Sequence, residues 1–267
     1  MIELICPHCH DALLQTDRQW RCVNGHSYDQ ARQGYLNLLL VQHKNSKQPG
    51  DTPQMLSHRQ AFLDAGHYQP VSDAINQLLV AETPARVLDM GCGEGYYTSR
   101  LASVLPQAQL AGLDISKDAI LKACRRSKDI QWLVASSARL PVADQSLDAA
   151  LCVFSPWSPE ECVRTLRSGG KVLIVGPHGD HLMALRAKLY DSVHPTPELI
   201  KSLPDELHIV SQSTLRYALQ VPADELANLI GMTPHGFRSQ QERQQALCAS
   251  GIEGLEVAMQ MVLLERS

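Results

Sequence analysis

The sequence predicts an α/β protein: a Rossmann-like, doubly wound sheet preceded by a small metal-stapled module. Three observations lead there. The run Val87-Leu88-Asp89-Met90-Gly91-Cys92-Gly93-Glu94-Gly95-Tyr96-Tyr97-Thr98 reads as a buried strand that breaks into a glycine loop and opens a helix. From Arg86 onward, apolar strand-like runs alternate with helical patterns. Before that, residues 1–35 carry no long amphipathic period and are punctuated by Cys, Pro, Gly and His, as in a small fold held by an ion.

In chain order, the polar stretch Gln42-His43-Lys44-Asn45-Ser46-Lys47-Gln48-Pro49-Gly50-Asp51 predicts a loop that divides the chain. Helices are expected near Pro53–Ala65 and Val71–Ala81, the second with Val71, Ile75, Leu78 and Leu79 on one face. Strands follow near Arg86–Met90, Gln109–Leu113, Ile130–Ala135, Leu147–Phe154 and Lys171–Val175. Between them lie helices near Tyr97–Leu105, Lys117–Ser127 and Glu160–Leu166. A helix near His181–Val193, a strand near His208–Val221, helices near Ala223–Ile230 and Gln240–Ser250 and a last strand near Leu255–Glu265 complete the series. The two late strands read as an extra pair, one antiparallel, beyond the Rossmann set. The domains expected are a small metal-stapled module at 1–35, a linker with helices at 36–85 and the alternating α/β domain at 86–267.

The first module holds Cys6-Pro7-His8-Cys9 and Cys22-Val23-Asn24-Gly25-His26, which is C-x2-C, twelve intervening residues, then C-x3-H. Two ligands two residues apart grip an ion from one tight knuckle, and the intervening stretch suffices for a hairpin that returns the second pair. Three thiolates and an imidazole form a closed tetrahedral set, so one structural Zn²⁺ on Cys6, Cys9, Cys22 and His26 is expected. His8 and His10 sit in or beside the first knuckle, where closing the tetrahedron is hard. Trp20 is expected to pack this coreless module rather than stack on a base.

The glycine loop favours S-adenosylmethionine over a dinucleotide. In G-x-G-x-x-G the last glycine allows close packing beneath a pyrophosphate, yet Tyr96 stands there. Asp89 at the strand end would repel a pyrophosphate but can pair with the ammonium of a methionine moiety. Ala111-Gly112-Leu113-Asp114 ends a second apolar run with an acid placed for two ribose hydroxyls. Ligands in such sheets lie beyond the carboxyl ends of the strands, so the expected donor contacts are Asp89, Gly91, Gly93, Glu94, Gly95, Asp114 and, near the adenine edge, Ser137. After the fourth strand, Phe154-Ser155-Pro156-Trp157 departs from the Asn/Asp-Pro-Pro-aromatic signature of amino-group methyltransferases, which leaves ring nitrogen, oxygen or carbon acceptors open. Trp157 reads equally as packing or as a base-stacking platform. Methyl transfer needs alignment and exclusion of water, and a ring nitrogen that carries a proton also needs a path for it. His178, Asp180 and His181 are the candidate bases; each reads equally as a loop or cap residue, and His181 is favoured as a cofactor contact.

With 267 residues and 44% hydrophobic content, the chain is large enough for one sizeable core plus a module. No apolar stretch reaches membrane-span length, and Met1-Ile2-Glu3-Leu4 lacks the basic and apolar regions of a signal peptide, so a cytoplasmic protein without membrane contact is expected. Cys92, Cys124, Cys152, Cys162 and Cys248 are scattered in apolar stretches and read as buried thiols. The net charge of −4 argues against a broad nucleic-acid footprint. The slight basic surplus lies in residues 1–60, so any RNA contact concentrates there.

The metal cluster and glycine loop occur together with Gly34-Tyr35-Leu36-Asn37-Leu38-Leu39, Gln42-His43-Lys44, Pro49-Gly50-Asp51, Phe62-Leu63-Asp64-Ala65-Gly66-His67-Tyr68, His181-Leu182-Met183 and Met232-Thr233-Pro234. On these residues the chain resembles, over essentially its whole length, the bacterial 23S ribosomal RNA guanine-N1 methyltransferases. The resemblance implies a class I methyltransferase fold with an N-terminal zinc ribbon that recognises RNA, and a homodimer that takes a 23S rRNA hairpin. It also implies zinc on Cys6, Cys9, Cys22 and His26, and S-adenosyl-L-methionine on Tyr68, the Glu94-Gly95 pair and His181. The likeness is nearest to the branch acting on nucleotide 745, with a sister branch acting on 748. Ser158-Pro159-Glu160-Glu161 and Trp157 depart from that pattern around the target-base pocket. A small-molecule methyltransferase and a non-catalytic RNA-binding factor are the competing readings.

Overall fold

The computed structural model describes residues 1–43, 50–194 and 196–267. The Lys44–Pro49 part of the expected loop lies outside these residues. An antiparallel three-stranded sheet, β1 (Leu14–Thr16), β2 (Gln19–Arg21) and β3 (Ser27–Asp29), opens the chain. An eight-stranded sheet follows. It comprises β4 (Leu36–Asn37), β5 (Arg86–Met90), β6 (Gln109–Asp114), β7 (Gln131–Val134), β8 (Leu147–Val153), β9 (Leu166–Pro177), β10 (Leu207–Ala218) and β11 (Glu256–Arg266), in the order β10-β11-β9-β8-β5-β6-β7-β4. Neighbours run parallel except β11, which is antiparallel to both β9 and β10. This is the doubly wound sheet expected, with its antiparallel late strand. The strand order reverses between β5 and β8, which makes their carboxyl ends the ligand crevice.

Local chemistry explains the elements around that crevice. β8 is buried at every position, so it reads as the near-continuous apolar run of a strand covered on both faces. Helix α1 (Pro53–Asp64) starts with Pro53 in its first turn behind Thr52, whose hydroxyl accepts the Met55 amide at 3.3 Å. Helix α2 (Gln69–Ala81) buries Val71, Ile75 and Leu79. Helix α3 (Tyr96–Val104) begins directly after Gly95. In α4 (Lys117–Arg126), Ser116 caps the Ala119 amide, Asp118 sits in the first turn and Arg125 and Arg126 in the last, all complementary to the helix dipole. Helix α5 (Pro159–Thr165) has the same logic: Ser158 caps the Glu161 amide at 3.3 Å, which accounts for the Ser158-Pro159-Glu160-Glu161 departure.

Two packed layers enclose the sheet. On one face Phe62, Ile75, Leu79, Val87, Leu101, Ile120, Leu151 and Leu173 form a core with the helices. On the other, Leu88, Met90, Leu113, Leu133, Val142 and Ile174 pack with Ile2, Leu4, Leu13 and Trp20 of the N-terminal residues. The metal-bearing segment therefore shares a core with the sheet. Backbone bonds fix it there: the Ile5 amide donates to Pro141 O at 3.1 Å and the Ala143 amide to Glu3 O at 3.1 Å. Trp20 is buried, so it is packing.

Several boundaries differ from the sequence reading. β9 starts at Leu166 rather than Lys171. The helix expected over 181–193 is only α6 (Met183–Leu189). His181 and Leu182 are held out of it, with the His181 amide bonded to His178 O and Leu182 in the left-handed region at φ +50°. The helix ends at Tyr190, whose backbone is extended, and the Arg186 side chain ties the flanking segments together through Gly179 O and His194 O. The helix near 223–230 begins as a 3-10 turn, Ala223–Glu225, before α7 (Leu226–Gly231), and a short α8 (His235–Arg238) follows before α9 (Gln241–Ser250).

Candidate active site and metal centre

In the N-terminal segment, the ligand atoms of Cys6, Cys9, Cys22 and His26 all lie within 4.8 Å of one another. His26 turns Nδ1 toward the sulfurs, 3.5 Å from Cys6 Sγ and 3.4 Å from Cys22 Sγ, while Cys9 Sγ and Cys22 Sγ are 3.6 Å apart. A tetrahedral Zn²⁺ with ordinary Zn–S and Zn–N lengths requires edges of about 3.5–3.8 Å. The donor set and its spacing thus fit zinc. His8 stacks on the His26 ring at 4.9 Å and is a neighbour of the set rather than a ligand. Tyr28 Oη lies 3.2 Å from Cys6 Sγ, where its hydroxyl donates to the thiolate and steadies it. That hydroxyl is a feature the ligand spacing alone did not indicate.

At the crevice, the glycine loop folds back on the end of β6. Both the Gly91 and Cys92 amides donate to Leu113 O, at 2.8 and 2.9 Å. Gly91 has φ +75°, and a Cβ there would lie 1.9 Å from Ser155 Oγ, so the turn after β8 presses onto the loop where only glycine fits. Gly95, at φ +83°, meets Trp132 and Ala123, and it provides the close helix packing one residue before Tyr96.

Asp89 is 2% exposed. Its Oδ2 accepts the Thr98 hydroxyl at 2.5 Å, but Oδ1 has no partner. Burial pushes its carboxyl up to about 7, against the Thr98 hydrogen bond and helped by the Asp114 charge. An unsatisfied buried carboxylate oxygen calls for a cation. Asp114 accepts the Gly93 amide on Oδ2 at 3.0 Å and the Ser116 amide on Oδ1 at 2.7 Å, which orients it and leaves a lone pair on each oxygen. Its pKa is also raised, chiefly by burial. S-adenosylmethionine fits these features: an ammonium for Asp89, ribose hydroxyls for Asp114 and bare loop backbone between them.

Other expected contacts are placed less openly. Glu94 is buried and its carboxylate is paired with Arg126, which also bonds the Glu94 carbonyl at 3.1 Å. Arg126 reaches Asp64 as well, at 2.8 Å. Glu94 therefore braces the loop, and its amide is what remains to face a ligand. Ser137 Oγ donates to Pro156 O at 3.1 Å, tying the β7 and β8 loops together.

Tyr68 and His181 come together, Tyr68 Oη 3.3 Å from His181 Nε2. The Ala258 amide donates to His181 Nδ1 at 3.3 Å, so the ring proton resides on Nε2 and points to the tyrosine oxygen. Burial drives the His181 pKa down to about 4. With its acceptor nitrogen occupied, His181 is a neutral orienting group and not a base. His178 Nδ1 lies 2.5 Å from Asp180 Oδ1, and Asp180 is in turn 2.7 Å from Arg216. Arg216, then His178, hold the Asp180 carboxyl down at about 2. Its side chain serves this ion pair rather than capping α6.

Two residues at the crevice were given no role by the sequence. Arg59 on α1 is paired with Asp51, donates to Met232 O at 3.3 Å and places Nη1 3.7 Å from where a Gly93 Cβ would stand, so a cation borders the loop. Phe154, exposed beside Tyr68 and Tyr97, is the other. Trp157 instead packs against the second core. A groove of about 460 Å³ between α1, α7, α8 and α9, bordered by Met55, His58, Ile230, Phe237 and Gln244, contains none of the expected site residues and lies apart from this chemistry. Cys92, Cys124, Cys152 and Cys162 are buried free thiols as expected, and Cys248 is half-buried.

Comparison with known proteins agrees with both halves of this description. Residues 4–47 match the zinc-ribbon family described as RlmA, N-terminal, and residues 87–174 match a methyltransferase domain family. The chain is 36% identical over 246 residues to the 23S rRNA (guanine(748)-N(1))-methyltransferase of Streptomyces fradiae, covering 88% of this chain and 85% of the relative. Proteins provisionally named for guanine-N1 methylation of 23S rRNA are 34% identical in Micromonospora griseorubida, over 95% of this chain and 93% of theirs. In Bacillus subtilis (strain 168) the figure is 30%, over 91% and 89%.

Proposed function

The chain belongs to the 23S rRNA guanine-N1 methyltransferase family, and from that premise we propose that it methylates N1 of a hairpin-loop guanine in large-subunit rRNA, at nucleotide 745. The observation that carries the reading is the conjunction of a zinc-ribbon cluster with a glycine loop whose Asp89 keeps one buried oxygen unsatisfied, in a chain whose relatives match it across both. The choice of 745 rests on the general likeness of the sequence to the branch that acts there, while the quoted motifs support the guanine-N1 family as a whole. Methylation at 748, named for the Streptomyces relative, is the alternative.

S-adenosyl-L-methionine, when bound, would supply a methyl group on a sulfonium that guanine N1 can take in line as the S–C bond breaks, without a covalent enzyme intermediate, and the N1 proton would leave to water, since both ring nitrogens of His181 are engaged. The protein's part is to bind and align. Asp89 takes the ammonium, Asp114 the ribose hydroxyls, and the backbone of Gly91, Gly93, Glu94 and Gly95 lines the path between them. Ser137 bounds the adenine edge. Tyr68 Oη accepts the hydrogen bond that His181 Nε2–H donates, so its own hydroxyl hydrogen is free to donate into the pocket. The zinc segment, anchored through Ile2, Leu4 and Trp20 to the far face of the sheet, grips the RNA near the catalytic crevice. A looped-out hairpin guanine costs less to extrude than a paired one. Residues 1–35 act as the RNA-recognition part, 36–85 as the connection and 86–267 as the catalytic part of a cytoplasmic homodimer. No described helix is long and apolar enough to cross a membrane.

Incubation of the purified protein with a 23S rRNA hairpin transcript and donor, followed by reverse-transcription stops and mass spectrometry, tests this. N1-methylguanine at 745 is expected. A stop at 748 replaces the position, and the absence of N1-methylguanine overturns the reaction.

A further inference from the structure

We propose that Phe154 is the platform on which the acceptor base stacks, an inference that rests on the rRNA reading above and names the residue that presents its substrate. Phe154 directly follows β8, at the strand end that faces β5 across the reversal of strand order. Its backbone is left-handed at φ +55°, a conformation that glycine or asparagine adopts readily and a bulky aromatic side chain does not. Such strain persists only where surrounding structure imposes it. Here the Phe154 amide is tied to Val175 O at 2.9 Å, and the turn delivers Ser155 into the space that Gly91 leaves open.

The turn explains the backbone but not the side chain. A phenylalanine in this position stabilises little by burial, because it remains 45% exposed. What it does have is aromatic company: the Tyr68 ring at 6.2 Å and the Tyr97 ring at 6.4 Å, with Phe62 edge-on to Tyr68 behind them. Both rings stand tilted to Phe154, which remains open to solvent beside them. Asp114 and Ser137, the groups suited to the donor's nucleoside, follow β6 and β7 on the other side of the reversal. The acceptor side of the crevice is therefore the β8 side, and the exposed flat surface there is Phe154. Trp157, the other aromatic candidate of this loop, packs against the opposite core.

The test compares Phe154→Gly, Phe154→Tyr and Trp157→Leu with the wild-type chain, reading thermal midpoint, donor Kd and kcat/KM on the rRNA hairpin transcript. Glycine relieves the strain while removing the ring. Phe154→Gly is expected to keep or raise the midpoint and to keep donor Kd within about twofold. Its kcat/KM should fall by roughly 10- to 100-fold, the loss of one base–aromatic stack. Phe154→Tyr should retain activity within about threefold, since it keeps the stacking face. Trp157→Leu should lower the midpoint and leave kcat/KM unchanged. Wild-type kcat/KM in Phe154→Gly overturns the proposal, as does a fall in activity matched by losses of midpoint and donor affinity, which marks a structural residue. If the wild-type chain binds donor but does not methylate the transcript, the rRNA reading itself fails and this inference goes with it.

Discussion

Replacing Asp89 with asparagine should stabilise the donor-free protein increasingly as pH rises, while weakening donor binding. Asp89 titrates at about 7 in the fold, against an ordinary carboxylate value of 3.8 in the unfolded chain, chiefly because burial disfavours its charge. Between those values the native state holds a proton that the unfolded chain has lost, so stability falls as pH rises from about 4 to about 7 and is flat beyond. The full penalty for three pH units is about 4 kcal/mol, of which about 2 is present at pH 5. Asparagine preserves the Thr98 hydrogen bond and removes the charge. Denaturant titration at pH 5 and pH 8 should therefore show the variant's advantage widening by about 2–3 kcal/mol. Parallel pH curves for variant and wild type would refute a raised Asp89. Donor binding responds in the opposite sense, because an ammonium at Oδ1 requires the ionised form. Wild-type donor Kd should be constant above about pH 7 and rise towards tenfold per pH unit below it. The variant should bind at least about tenfold more weakly at pH 8, through loss of a charge-assisted hydrogen bond. Equal affinity of the two proteins would remove Asp89 from the donor site.

Cys22→Ser should release zinc, measured by metal analysis, and lower the thermal midpoint of the whole chain, because Ile2, Leu4 and Trp20 belong to the sheet's own core. It should also abolish RNA binding by filter retention while leaving donor affinity in the surviving folded fraction intact; retention of RNA binding would separate the ribbon from recognition. Gly91→Ala places a methyl group where Ser155 lies and forces alanine to φ +75°, so donor binding should be lost together with about 1–3 kcal/mol of stability by denaturant titration. His181, followed by its ring signals in NMR, should titrate near 4; a transition between 6 and 7 would contradict the neutral tautomer held by Ala258 and Tyr68.

The parts of the site that were legible in the sequence are those carried by short-range patterns. Strand, glycine loop and helix follow one another within Val87–Thr98, and the C-x2-C and C-x3-H knuckles declare the metal set, so each was readable from adjacent residues. The parts that were not legible depend on distant segments. Arg59 reaches the loop from a helix that precedes it, and the tautomer of His181 is set by an amide on β11. Glu94 looked like an open ligand because nothing local indicates that Arg126, at the end of α4, claims its carboxylate. Phe154 was concealed for a different reason: a left-handed aromatic has no propensity signature, and Trp157, three residues later in the same loop, was the aromatic that residue type offered for either packing or stacking. The short α6 follows the same rule, since its start is delayed by the left-handed Leu182 and not by any local breaker.

Transfer of a methyl group to guanine N1 in 23S rRNA should be visible in the modification profile of native ribosomal RNA from cells with and without this gene. One N1-methylguanine, at nucleotide 745, is expected with the gene, absent without it and restored by the wild-type chain. Identical profiles in the two strains, or a lost methyl group on any atom other than guanine N1, would contradict it.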